Sequence, residues 1–250
     1  MFAGPRLHIA QIGIARQRRK SDRHQHHENF QQPHLSSFRP LPHPGTARFF
    51  QLYSWHFRKD HAIHGTKRTG KRMQGQIVLV GMMGVGKTAV GQEIARLLGV
   101  AFTDTDAEIE RAAAMSIAEI FARDGETFFR DRESVVLSRL LKGPGGVVST
   151  GGGAWMQPHN QQLIRASGLS VWLDAGLETL WGRVRQRPTR PLLMTEDPRG
   201  TLAALIEARR PVYATADVQV MTDGRADIET TARRVIAEIR RARPGFLEEK

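Results

Sequence analysis

A chain of 250 residues, 40% hydrophobic and 25% charged, has room for one large globular domain or two small ones. It has no cysteine, which excludes disulfides, thiolate metal sites and cysteine nucleophiles, and no run of about 18 apolar residues that would span a membrane. The net charge of +12 is lopsided: residues 1–72 hold 14 Lys/Arg against 3 Asp/Glu, and residues 73–250 hold 23 against 22.

A nearly neutral globular part therefore follows a basic leader, and the charge of the leader says little about what the globular part binds. The leader carries nine of the ten histidines and runs through Arg16-Gln17-Arg18-Arg19-Lys20 and His24-Gln25-His26-His27 to Pro33, Pro40, Pro42 and Pro44. With no sustained helical or alternating period, it is expected to be disordered. Three readings fit such a segment: a transit peptide, a basic or metal-binding arm, or a stretch that is not part of the native protein. The last is adopted, because Met73 stands immediately before the first strand and a start there gives a complete domain over 73–250. The near-zero charge of that domain counts against nucleic acid as a partner, and a cysteine-free chain fits the cytoplasm.

From Gln76 onward short apolar runs alternate with helical segments, which predicts a three-layer αβα fold around a parallel five-stranded sheet. Strands are expected at 76–80, 100–103, 146–149, 170–173 and 217–221. Helices are expected at 87–98, 106–114, 116–123, 127–141, 158–166, 176–185, 198–213 and 227–242. Ligands in such sheets bind beyond the carboxyl ends of the strands, so the residues that end each strand carry the functional information.

Strand one runs into Gly81-Met82-Met83-Gly84-Val85-Gly86-Lys87-Thr88, a complete G-x-x-x-x-G-K-[ST] phosphate-binding loop. Its glycines let backbone N–H groups form a concavity for phosphate, Lys87 reaches the β- and γ-phosphates, and the Thr88 hydroxyl sits on Mg²⁺. The helix that follows turns its positive N-terminus to the anion. Strand two ends in Asp104-Thr105-Asp106, two carboxylates flanking one residue. One suits a metal, directly or through water, and the other suits a substrate hydroxyl; the competing role for Asp106 is simply to cap the next helix. In the helix 127–141, Arg130 offers a planar fork for a carboxylate, and Glu133 three residues later is placed to orient it. Strand three opens into Gly151-Gly152-Gly153, bare backbone that permits either close ligand approach or mere flexibility. Arg183, Arg185, Arg187 and Arg190 fall among Pro188, Pro191 and Pro198, a segment that fits a lid over triphosphate or a solvated basic loop. A second fork, Arg209, precedes Arg210-Pro211-Val212-Tyr213; taken alone, each of Arg130 and Arg209 reads as readily as a solvated or ion-paired arginine in a chain with 37 basic residues.

Taken together, the phosphate loop, Asp104-Thr105-Asp106, Gly125-Glu126-x-x-Phe129-Arg130, the glycine triplet, Arg190-Pro191-Leu192-Leu193 and Arg209-x-Pro211-x-Tyr213 resemble the shikimate kinases, which are P-loop enzymes of the nucleoside-monophosphate-kinase type. The resemblance covers residues 76–240 and none of the leader. It implies transfer of the γ-phosphoryl of ATP to the 3-hydroxyl of shikimate, with Mg²⁺, in aromatic amino-acid biosynthesis; another small-molecule kinase, such as a gluconate kinase, is the alternative. It further implies that Gly84, Val85, Gly86, Lys87, Thr88 and Ala89 wrap the phosphates, that Thr88 and Asp104 support the metal, and that Asp106 holds and deprotonates the acceptor. Arg130, Arg209 and the Gly152 backbone would clamp the shikimate carboxylate, with Arg190 entering from the lid onto the γ-phosphate. Residues 106–135 would form the acceptor-binding subdomain and 183–197 the lid, in a monomer.

Overall fold

The computed structural model describes residues 73–186 and 190–247. Residues 1–72, and Arg187, Pro188 and Thr189 of the segment expected to form a lid, lie outside the described residues. In chain order the elements are β1 (Gln76–Val80), α1 (Lys87–Leu98), β2 (Ala101–Asp104), α2 (Thr105–Ala113), α3 (Ile117–Leu140), β3 (Gly146–Ser149), α4 (Pro158–Ser167), β4 (Gly168–Asp174), α5 (Leu177–Val184), α6 (Pro198–Tyr213), β5 (Val218–Met221) and α7 (Ile228–Ala242). All five strands are parallel, in the order β2-β3-β1-β4-β5.

The central strand β1 reads Gln-Ile-Val-Leu-Val and is buried throughout, the continuous apolar pattern of a strand covered on both faces. Leu79 pairs with Val171 and Val80 with Trp172, so Leu79 and Trp172 point to opposite faces. Helix α1 covers the Leu79 face, where a Cβ on Gly91 would come within 2.7 Å of the Phe102 ring and 3.0 Å of Leu79. Tyr213, at the end of α6, stacks on Trp172 across the other face with ring centroids 5.9 Å apart. Helices therefore flank the sheet on both sides, as the sequence pattern predicts.

The two helices expected at 116–123 and 127–141 form one span, α3, broken at Gly125 with φ 82° and ψ 173°. That backbone conformation favours glycine, and it redirects the helix just before Glu126. Ser116 opens α3 with a reciprocal capping box to Glu119. Helices α2 and α3 carry their own small apolar cluster of Ile109, Ile120, Phe129 and Val136, separate from the main core. No helix among the described residues is long and apolar enough to cross a membrane.

Candidate active site

The loop between β1 and α1 turns on Gly81, Gly84 and Gly86, with φ of 136°, 80° and 104°. At Gly84 the space is closed too, since a Cβ would lie 2.5 Å from Val184 Cγ1. The loop delivers the α1 N-terminus to a cavity of about 500 Å³, which is also lined by Asp104, Asp106, Gly152, Arg190 and, from the β5–α7 connection, Thr222, Gly224 and Asp227. Lys87 is buried, and its Nζ donates to the carbonyls of Gly81 at 2.8 Å and Met82 at 3.0 Å. Burial pulls its ammonium down to about 8, helped by Arg190 and opposed by Asp106, Asp104 and Glu133. Arg183, on α5, donates from Nη1 to the loop carbonyls of Gly84 at 3.2 Å and Val85 at 3.0 Å.

At the end of β2 the two carboxylates divide their tasks. Asp104 caps α2, accepting from the backbone N–H of Asp106 at 3.0 Å and of Ala107 at 3.3 Å through Oδ1. Its Oδ2 accepts from Thr88 Oγ1 at 2.8 Å. The capping role weighed for Asp106 thus falls to Asp104, because α2 starts one residue early, at Thr105. Asp106 is left to face the cavity, with Oδ1 buried and without a hydrogen-bond partner. Its carboxyl is pushed up to about 7, by burial first and then by Glu133 and Asp104, against the pull of Lys87 and Arg130.

A second cavity, of about 480 Å³, opens on the other side of Asp106. Its apolar wall includes Ile117, Phe121, Phe129 and Leu192, and its polar wall includes Arg130, Glu133, the glycine triplet and Arg209. Met83, Asp106, Gly152 and Arg190 line both cavities, so the two meet at those residues.

Arg130 is held on two sides. Its Nη1 donates to Glu133 Oε2 at 2.9 Å, while Nε and Nη2 donate to Glu126 Oε1 at 3.2 and 3.0 Å. Glu133 is fully buried, and burial raises its carboxyl above the ordinary range against the opposing pull of Arg130. Arg209 Nη1 donates to the Gly152 carbonyl at 3.3 Å, and the Tyr213 hydroxyl donates to the same carbonyl. Site side chains approach the glycine triplet closely: a Cβ on Gly151 would lie 2.4 Å from Glu133 Oε1 and 2.7 Å from Asp106 Oδ1. On Gly153 it would lie 2.5 Å from Arg130 Cζ. Gly153→Ala is therefore expected to push Arg130 off its place and, if Arg130 binds an acceptor carboxylate as the family resemblance implies, to raise the acceptor KM by about tenfold or more, a charge-assisted hydrogen bond's worth. Steady-state kinetics on the purified variant check this, and an unchanged acceptor KM counts against it.

Gly84 to Ala89, Asp104, Asp106, Arg130, Gly152, Arg190 and Arg209 each line one of the two cavities, whereas Arg185 lines neither and Arg187 lies outside the described residues. Sequence reasoning missed Arg183 as a loop contact and Glu126 as a partner of Arg130. It also gave no task to Tyr213, although Tyr213 closes the Arg209-x-Pro211-x-Tyr213 motif. Among the described residues no cluster of three or more His, Asp or Glu side chains is arranged to hold a metal by itself.

Comparison with known proteins agrees with this geometry. A family profile described as shikimate kinase matches residues 83–240. The shikimate kinase of Ruegeria pomeroyi is 60% identical over 163 residues, 65% of this chain and 84% of the relative. That of Cereibacter sphaeroides is 58% identical over 177 residues, 71% of this chain and 88% of the relative. A solved shikimate kinase from Acinetobacter baumannii, in complex with shikimate, matches with a TM-score of 0.66 at 37% identity, covering 68% of this chain and 95% of that one.

Proposed function

The chain belongs to the shikimate kinase family, and on that premise we propose that it transfers the γ-phosphoryl group of ATP to the 3-hydroxyl of shikimate. The observation that carries the assignment is the junction of the two cavities: a phosphate loop on one side, a pair of arginines on the other, and Asp106, Gly152 and Arg190 between them. ATP occupies the first cavity, with its phosphates on the loop N–H groups of Gly84 to Ala89. Shikimate occupies the second, its carboxylate between Arg130 and Arg209 near the Gly152 backbone and its ring against the apolar wall.

Asp106 then holds the ring hydroxyls and receives the proton of the one that attacks. The hydroxyl oxygen forms its bond to the γ-phosphorus as the bond to the ADP oxygen breaks. Lys87 exchanges its two carbonyl partners for phosphate oxygens, and Arg190 meets the same charge from the lid. Little covalent work remains for protein groups in phosphoryl transfer, so positioning and charge stabilisation carry the rate.

The residues present fit a magnesium ion. Thr88 Oγ1 and Asp104 Oδ2 are hard oxygens 2.8 Å apart in the nucleotide cavity, and Mg²⁺ takes few protein ligands beside phosphate and water. Bound there with ATP, it would neutralise phosphate charge. Residues 106–135 serve as the acceptor-binding subdomain and 183–197 as the lid in this reading, and residues 1–72 stand outside the catalytic unit. This reading also has the enzyme acting as a monomer in the cytoplasm, a compartment that the cysteine-free sequence fits.

Phosphorus NMR of the product formed from ATP and shikimate tests the assignment. A phosphate ester coupled to the proton at C3 is expected; no ester, or one on another hydroxyl, contradicts it. Within the same reading, Arg130→Lys keeps the charge but loses the fork, and is expected to raise the shikimate KM by about 10- to 100-fold with nucleotide affinity retained. An unchanged shikimate KM removes Arg130 from the clamp.

A further inference from the structure

Tyr213 is among the largest fully buried side chains of the protein, at 1% exposure, and it is polar. Its ring belongs to the core, stacked on Trp172 at an interplanar angle of 16°. Its hydroxyl, however, reaches out of the core to the carbonyl of Gly152. That carbonyl also accepts from Arg209 Nη1 at 3.3 Å, so one peptide group gathers two donors from the last turns of α6.

The peptide so held is a junction. Gly152 lines both the nucleotide cavity and the acceptor cavity. A Cβ on Gly152 would lie 3.2 Å from the backbone nitrogen of Met83, which places the triplet against the phosphate loop. A Cβ on its neighbour Gly153 would lie 2.5 Å from Arg130 Cζ, which places the triplet against that guanidinium as well. The Tyr213 hydroxyl is thus one of two donors on a peptide that lies between Arg130, Arg209 and the phosphate loop.

A purely structural role has a different tie available. Trp155 Nε1 donates to the Val212 carbonyl at 3.0 Å, and so anchors the same end of α6 by a bond that does not use the Gly152 carbonyl. The Tyr213 hydroxyl is not needed for that. We propose that Tyr213 is a positioning residue for the acceptor: its hydroxyl holds the Gly152 carbonyl, and through it the register between Arg209, Arg130 and the phosphate loop. The inference rests on the reading of Arg130 and Arg209 as the carboxylate clamp. Burial pushes the Tyr213 hydroxyl up to about 12, so it remains a donor throughout the working pH range.

The test compares Tyr213→Phe and Trp155→Phe with the unaltered full chain, measuring KM for shikimate, KM for ATP, kcat and Tm. Tyr213→Phe is expected to raise the shikimate KM by about three- to tenfold, the size of one hydrogen bond, with ATP KM unchanged. The ratio of its shikimate KM to that of the unaltered chain should stay constant between about pH 6 and 9, because the lost donor does not titrate there. Trp155→Phe is expected to lower Tm and leave the shikimate KM as it was. If both variants lose Tm and neither changes the shikimate KM, Tyr213 is only an anchor of α6 and the proposal fails. If the unaltered chain does not phosphorylate shikimate at all, the assignment of function fails instead, and the two failures are told apart by that control.

Discussion

Lys87→Ala is expected to lower kcat by about a thousandfold or more while nucleotide affinity changes far less, because its contact strengthens as charge develops on the transferring group. The Nζ atom sits at the mouth of the α1 N-terminus, buried and tied to the Gly81 and Met82 carbonyls. Two neutral carbonyls in a buried setting hold an ammonium weakly, which is why burial lowers its pKa to about 8. A phosphate oxygen is a better partner than either carbonyl, and the loop N–H groups that bind the ground-state nucleotide are untouched by the substitution. Stopped-flow binding of a fluorescent ATP analogue beside steady-state turnover separates the two effects. Turnover within tenfold of the unaltered enzyme would remove Lys87 from charge stabilisation.

The second large effect belongs to Asp106. Asp106→Asn keeps the shape and a hydrogen-bonding oxygen but removes the proton acceptor, and kcat is expected to fall by about 10²- to 10⁴-fold, the range of general base catalysis. The position supports this role. Oδ1 is buried and unpartnered at the junction of the cavities, and the capping duty that could have occupied it is carried by Asp104. The substitution also removes one of two facing carboxylates, Asp106 and Glu133, so stability should not fall and the variant should fold. A kcat within a few-fold of the unaltered value, with shikimate KM strongly raised, would make Asp106 a binding group alone.

Much of this arrangement was legible in the sequence for a physical reason. A parallel sheet buried on both faces leaves continuous apolar runs, and its ligands gather at the strand ends, so β1, β3 and their trailing glycines mark both fold and site. What could not be read was context. β4 begins at Gly168, two residues before its expected start, because Gly168 pairs with Gln76 through a backbone contact that leaves no apolar signal. The helix α2 starts at Thr105, one residue before its expected start, so the cap is Asp104 and not Asp106, a difference that composition does not encode. Glu133 was visible as a helical neighbour of Arg130, since spacing of three residues fixes that contact. Arg183 was one arginine among several, and only the fold brings α5 against the phosphate loop. Tyr213 reads as an ordinary core aromatic until its hydroxyl is seen to meet a glycine 61 residues earlier in the chain.

In the proposed reading a clamp of two arginines, Arg130 and Arg209, selects the acceptor for the phosphate loop. An ADP-release assay with ATP and, in turn, shikimate, quinate and gluconate tests it most directly. Turnover with shikimate far above that with quinate or gluconate is the predicted result. Turnover with gluconate and none with shikimate would show that the site is built for a different acceptor.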